Sequence, residues 1–459
     1  MGHDQEMLDR ASATAWYRRN RERSRALFDL VASPAGTDGA YYRKPIALRH
    51  PIVFYEGHLP AFSFNTLVKK ALGAPGIDAR LESVFARGID PADVPAPAGD
   101  AGPQQGSAGW PSRDEVLAFA AEADRRVLDA LDGADLDRPG DARLDRSEAV
   151  FTILEHEAMH HETLLYMWHR LPFDDKRRPE GYAPLAGGDA PRQEWMEVPA
   201  GRVTLGADRE DLVFGWDNEF PRRCADVERF SIERLNVTNA QFMEFVDAGG
   251  YADPRWWRPE DWAWVRKERL SHPLFWEHVE GRWQWRGMFE HIPLPPAWPV
   301  YVSYAEAVAY TQWRGARLMT EAEYQRAAYG TPTGSSERQH PWGDAPPAPA
   351  FGVFDFSSWD PEPAGSHPDG RSAFGVDDLV GNGWEWTSTP FAPFPGFRPM
   401  ASYPEYSADF FDGEHLVIKG ASPATAAELM RPTFRNWFRP RYPYVYATFR
   451  CVASDPGPR

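Results

Sequence analysis

Apolar residues recur at helical spacing through roughly the first 185 positions, and the spacing changes to short strand-like runs after them. Residues 4–30 are charged and amphipathic and predict a first helix. A second apolar stretch covers 51–72, where Pro60 is expected to kink the helix or mark its first turn. "PSRDEVLAFAAEADRRVLDAL" opens with Ser112 as an N-cap and predicts a third helix over 113–131. "RSEAVFTILEHEAMHHETLLYMWHRLP" predicts a fourth over 147–171, ended by Pro172. The Pro-, Gly- and Ala-rich "DPADVPAPAGDAGPQQGSAGW" before the third helix reads as a loop. Four such helices predict an antiparallel bundle, whose interior is a common place to build a metal site.

From about residue 190 the pieces shorten. "WMEVPAGRVTLGA" reads as strands, and "TNAQFMEFVDAGG" and "TEAEYQRAAYG" as helices with threonine caps. Long Pro-, Gly- and Trp-rich loops separate them, so an irregular α+β domain is expected over 186–459, following a helical domain over 1–185. The length of 459 residues makes two domains the default.

Charge and cysteine content narrow the function classes. A net charge of −17 argues against nucleic acid or an anionic membrane as partner, because both need clustered cations. Two cysteines, Cys224 and Cys451, are too few for a disulfide framework or a thiolate metal cluster, and both read as small buried residues. The first thirty residues have no apolar signal core and no later stretch reaches membrane-span length, so a cytoplasmic location is expected.

The chemistry concentrates in "HEAMHHE". Helical phase puts Ile153, His156, His160, Leu164 and Met167 on one face, with Glu157 and His161 pointing elsewhere. A single histidine on an apolar face is usually a satisfied core residue, but two at i, i+4 point to a metal. His58, within the second apolar stretch, is the best third ligand, ahead of His3 and His50. Imidazoles alone suit Fe(II), Zn(II) or copper. The string also contains HExxH, the zinc-peptidase signature, although no HxxGxxH-type continuation follows and Glu157 lies about 100° from His156 around the helix. A third class, a ligand-binding module on an inert bundle, stays open at this point.

Longer strings fill the second half, in order: "VFGWDNEFPRRCADVERFSIERLNVTNAQFMEFVDAGGY", "WRGARLMTEAEYQRAAYG", "PWGD", "VDDLVGNGWEWTSTPF", "HLVIKGASPAT" and "RPTFRNWFRPRYPYVYATFRCV". Over 190–459 this resembles the formylglycine-generating-enzyme family, a variant of the C-type lectin fold. The cysteine pair of that family's founding chemistry has no counterpart here. Over the whole chain the sequence is similar to EgtB-type sulfoxide synthases of the ergothioneine pathway and their selenoneine synthase relatives. Those join a DinB-like four-helix bundle to a formylglycine-generating-enzyme-like domain.

That resemblance implies a non-haem iron held by His58, His156 and His160, with Glu162 completing an HxxxHxE string. It further implies oxygen as co-substrate and coupling of a thiol or selenol to imidazole C2 of hercynine, a trimethylated histidine betaine. Three histidines leave about three positions on octahedral iron for donor, imidazole and oxygen. Asn436 and Trp437 match the pair that approaches hercynine in the family, whereas Trp384 and Trp386 read as packing residues. Phe438 departs from the pattern, because mycobacterial-type members carry there an Asp that contacts the thiol donor. A phenyl ring cannot accept hydrogen bonds from an amino-acid ammonium group, which favours a donor without one, such as a selenosugar, over cysteine or γ-glutamylcysteine. Arg439, Arg441, Tyr442 and Tyr444 are candidate donor-pocket residues or, equally, a solvated arginine face with structural tyrosines. Tyr403 and Tyr406 are candidates for the catalytic acid.

Overall fold

The computed structural model describes residues 8–32, 39–86, 109–185, 187–334 and 336–453. Most of the Pro/Gly-rich loop, and His3, lie outside them. The chain divides into two compact units, Met1–Tyr182 with Met400–Pro404, and Ala183–Pro399 with Glu405–Arg459.

The first unit is helical. Its elements are α1 (Arg10–Asp29), α2 (Ile52–Ser63), the short α3 (Ala79–Val84), α4 (Arg113–Gly133) and α5 (Glu148–His169). Ser112 caps α4 in a reciprocal capping box with Glu115, satisfying N–H groups that the first turn cannot pair internally. Pro60 is not in a first turn but near the C-terminal end of α2. Its ring removes one donor from the ladder, and the chain beyond continues as a π-helical segment, Phe64–Ala71. Tyr17, Phe62, Leu67, Val127, Leu131, Ile153 and Leu154 form the apolar core between α1, α2, α4 and α5. The helix α5 is buried nearly all the way round, Glu157 and His161 included.

The second unit is built on two four-stranded sheets. One runs Trp195–Val198, Phe230–Glu233, Val452–Ala453, Ala316–Arg317; the other runs Asn436–Phe438, Leu416–Ala421, Gly383–Pro390, Ala447–Thr448. Trp384 and Trp386 are buried on the strand Gly383–Pro390, and Glu385 between them meets Arg450 Nε at 2.7 Å with both side chains fully buried. Its helices are α6 (Asn239–Asp247), α7 (Pro259–Glu268), α8 (Tyr304–Arg314) and α9 (Glu321–Tyr329), besides a short turn of helix at Glu405–Ala408. Thr238 and Thr320 cap α6 and α9 as expected. The sequence reading did not single out α7 and α8, although Pro259 at N1 and the Ser303–Glu306 capping box signal both. One cysteine departs from expectation. Cys451 is buried, but Cys224 is exposed, because it lies on the two-stranded ribbon Gly201–Leu205/Arg223–Val227, whose Arg223 end faces solvent.

Candidate metal centre and flanking residues

His58 of α2 meets His156 and His160 of α5, and one ring nitrogen from each lies within 4.8 Å of the others. Ring centroids are 5.2 Å apart for His58–His156, 5.1 Å for His58–His160 and 4.5 Å for His156–His160. The two phenyl rings one turn either side of His58 each stack on one imidazole. Phe54 stacks on His58 at 5.0 Å and 19°, and Phe62 stacks on His156 at 3.5 Å and 10°.

Local sequence explains why His58 points inward. His58 Nδ1 lies 2.7 Å from the carbonyl oxygen of Phe85. A carbonyl only accepts, so Nδ1 carries the hydrogen and Nε2 presents its lone pair. That Nε2 is buried with no hydrogen-bond partner. Gly57 permits the close approach, since a Cβ there would sit 2.4 Å from the tip of the Phe85 ring. Glu56 pairs with Arg113 through contacts of 2.8 and 3.1 Å, tying α2 to α4. The string "EGH" therefore encodes an anchor, a clearance and a ligand-type ring in consecutive positions.

Burial holds all three imidazoles neutral. It lowers His58 to about 4, partly opposed by the Phe85 carbonyl, and pushes His156 and His160 well below 6.5, aided by neighbouring histidine and arginine charge. Nδ1 of both His156 and His160 is likewise buried without a partner. Neutral, orphaned nitrogens that converge are what a metal requires and what a packed core avoids. The residues fit a divalent transition metal.

The other polar groups of "HEAMHHE" are engaged elsewhere. Glu157 accepts from Arg21 Nη1 at 2.7 Å and Ser24 Oγ at 2.6 Å, and Ser24 Oγ lies 2.9 Å from His161 Nε2. Arg21 also meets Asp124, which accepts from the Tyr17 hydroxyl at 2.8 Å. This buried network joins α5 to α1 and α4. Glu157, the residue a peptidase needs as its base, is thus bound on the side of the helix facing α1.

Two tyrosines flank the imidazoles. Tyr403, in the segment Met400–Pro404, packs edge-on at 5.0 Å from Phe62 and 6.1 Å from His156. Tyr55, which sequence reasoning did not single out, is fully buried with its ring 5.9 Å from His160. It sits three residues before His58, and that spacing was the available signal.

The remaining candidates belong to the second unit. Tyr406 stacks on Trp216 at 3.9 Å and meets Trp437 edge-on at 5.3 Å, so the two candidate acids occupy different surroundings. The edge strand pairs Val417 with Trp437, Ile418 with Asn436 and Leu416 with Phe438. Strand alternation puts Trp437 on one face, stacked on Phe391 at 4.1 Å, and Asn436 and Phe438 on the other. Phe438 stacks on the buried Tyr442 at 5.4 Å, which in turn touches Tyr444. Arg441 is held by Asp261 at 2.9 Å. Sequence reasoning missed Arg435, wholly buried between Glu321 and the rings of Phe391 and Phe394, which fixes the start of this strand.

A helical bundle followed by an irregular β-rich domain defines a two-part class of protein, and comparison with known proteins matches both parts. Residues 17–164 match the DinB superfamily, and residues 186–455 match the sulfatase-modifying factor enzyme 1-like domain. A protein of Mycolicibacterium smegmatis named hercynine oxygenase is 37% identical over 342 residues, covering 73% of this chain and 77% of that one. Its namesake from Mycolicibacterium thermoresistibile is 38% identical, over 74% and 76% of the two chains. Ergothioneine biosynthesis protein 1 of Neurospora crassa is 28% identical over 93% of this chain and 56% of its own length. The chain belongs to the hercynine oxygenase family, the EgtB-type sulfoxide synthases. It is an enzyme of that type. Among the described residues, no helix is long and apolar enough to cross a membrane.

Proposed function

We propose that this protein is a non-haem Fe(II), O2-dependent enzyme that joins a sulfur or selenium donor to imidazole C2 of hercynine. One observation carries the reading: His58, His156 and His160 present neutral, buried nitrogens within 4.8 Å of one another. Iron there would bind the donor as its anion and activate oxygen. Phe54, Phe62 and the Phe85 carbonyl fix the planes of His58 and His156 before any metal arrives, which limits the reorganisation that accompanies binding. Tyr403 is assigned as the proton donor, because its ring lies against His156 whereas Tyr406 lies in the aromatic cluster of the second unit. Asn436 and Trp437 are assigned to hercynine and Phe438 to the donor side, with Arg439, Arg441 and Tyr442 as further donor-side residues.

The donor we favour is a selenosugar-type selenol. Phe438, stacked on Tyr442, offers a flat apolar surface and no acceptor for an ammonium group. A thiol amino acid as donor is the second reading, supported by the 37% identity to a hercynine oxygenase. A zinc hydrolase using HExxH is disfavoured by the engagement of Glu157 with Arg21 and Ser24.

The deciding experiment is anaerobic Fe(II) reconstitution, addition of hercynine with competing donors (cysteine, γ-glutamylcysteine and a selenosugar), then O2, with products read by mass. Consumption of the selenosugar with hercynine is expected. Consumption of a thiol alone would establish the second reading, and no loss of hercynine with any donor would overturn the substrate assignment.

A further inference from the structure

One carboxyl oxygen of the helix that carries His156 and His160 gathers three donors from the segment carrying Tyr403. Glu148 is the first residue of α5, and its Oε1 accepts from Ala401 N at 3.1 Å, Ser402 N at 3.0 Å and Ser402 Oγ at 2.9 Å. Two consecutive backbone donors and a hydroxyl converging on one oxygen make a nest for an acceptor. One turn further along, Thr152 Oγ1 lies 2.8 Å from Ser402 Oγ, with both side chains buried. The next turn carries His156, against which the ring of Tyr403 packs, and the next carries His160. Glu148, Thr152, His156 and His160 thus follow at i, i+4 intervals along α5. The helix that supplies two imidazoles also supplies the clamp that sets the neighbouring tyrosine beside them.

We propose that Glu148, acting through Ser402, is a positioning residue for Tyr403: a latch that fixes the phenol against His156 and Phe62. The inference rests on the assignment of Tyr403 as proton donor. Glu148 is half-buried at the end of the helix, outside the apolar core around Ile153 and Leu154. The segment has no regular structure of its own, and Glu148 and Thr152 of α5 both reach Ser402 there, next to the buried Met400 and the tyrosine ring.

The test uses the full-length protein with and without iron. In metal-free protein, Glu148→Ala is expected to raise amide hydrogen exchange at residues 401 and 402 at least tenfold while leaving α5 protected. Glu148→Gln, whose amide oxygen still accepts, is expected to stay within about threefold of wild type. In iron-loaded protein, the paramagnetic resonance signal of the nitric oxide complex is expected to change in Glu148→Ala in the same sense as in Tyr403→Phe. Iron affinity should stay within twofold in both. In turnover, Glu148→Ala should lower kcat roughly tenfold or more, and the double variant should be no slower than Tyr403→Phe alone, since both changes remove the same group. Unchanged exchange at 401 and 402, or losses that multiply in the double variant, would overturn the latch. If wild-type protein does not consume hercynine yet exchange and resonance respond as expected, the latch stands and the assigned reaction falls.

Discussion

The glycine before His58 offers the sharpest test of how the proposed metal site is built. In Gly57→Ala the new Cβ would lie 2.4–2.5 Å from three atoms of the Phe85 ring, against a normal carbon contact of about 3.5–4.0 Å. The ring must therefore retreat by about 1 Å, and its room is limited. Phe85 is fully buried, with Phe54 and Phe119 each 6.2 Å away by ring centroid. Overpacking of this kind costs ~1–3 kcal/mol, offset by up to ~1 kcal/mol because alanine is the better helix former. Net destabilisation of ~0–3 kcal/mol follows. The larger effect falls on the metal. Moving Phe85 carries its carbonyl with it, and the 2.7 Å bond to His58 Nδ1 is lost. Loss of such a partner behind a metal-bound histidine typically weakens metal binding by about 10–100-fold, or ~1.4–2.7 kcal/mol.

The assay is an anaerobic Fe(II) titration paired with thermal melts in the absence of metal. Iron affinity should fall at least tenfold while the metal-free melting temperature falls by only a few degrees. Combining Gly57→Ala with Phe85→Leu gives the internal check, because it frees space yet keeps the backbone carbonyl, and should recover most of the affinity. Iron binding within twofold of wild type in Gly57→Ala would refute the reasoning outright. An equally weak double variant would place the defect somewhere other than the Phe85 contact.

Other perturbations separate the parts of the site. Alanine at His156 should abolish high-affinity iron binding and hercynine turnover with the fold retained by circular dichroism; unchanged turnover would remove the metal assignment. Glu157→Gln should cost ~1–3 kcal/mol in a chemical melt, because it loosens a buried ion pair with Arg21, yet leave iron affinity and hercynine turnover near wild type; loss of turnover in stable, iron-loaded protein would revive a base role. Phe438→Asp should shift donor preference toward thiol amino acids by tenfold or more in kcat/KM, and no shift would free Phe438 from the donor side. In metal-free protein, His58 titrates at about 4 when folded and near 6.5 when unfolded, so the unfolded chain binds the proton more tightly. Stability is therefore unaffected above about pH 6.5 and falls as pH drops toward 4, by up to roughly 3 kcal/mol from this group. His58→Gln should flatten that slope in urea melts at pH 4–7; an unaltered slope would show that His58 is not buried in the neutral form.

What the sequence could and could not disclose follows from the range of the interactions involved. Ser112, Thr238 and Thr320 announce helix starts because a cap acts within three residues. The convergence of His58 with His156 and His160 could be anticipated because an i, i+4 pair fixes one helix face and an apolar stretch points the third ring inward. Gly57 could be quoted as part of a motif but not explained, since its constraint is a ring that arrives from α3, 28 positions on. Trp437 stood with Asn436 and Phe438 in one string, yet strand alternation sets it on the opposite face, and that face is defined only by pairing with Leu416–Ile418. Tyr403 and Tyr406, three apart, looked equivalent until the segment around the first proved to be held to α5 and the second stacked on Trp216. The carboxyl that makes the difference lies 254 positions from Ser402. Its only trace in the sequence is a four-residue rhythm, Glu148, Thr152, His156, His160, whose first two members look like ordinary helix surface. Polar residues in phase with a metal pair on one helix therefore merit reading as parts of that site, because the helix carries its geometry forward turn by turn whereas the groups they hold are found only in the folded chain.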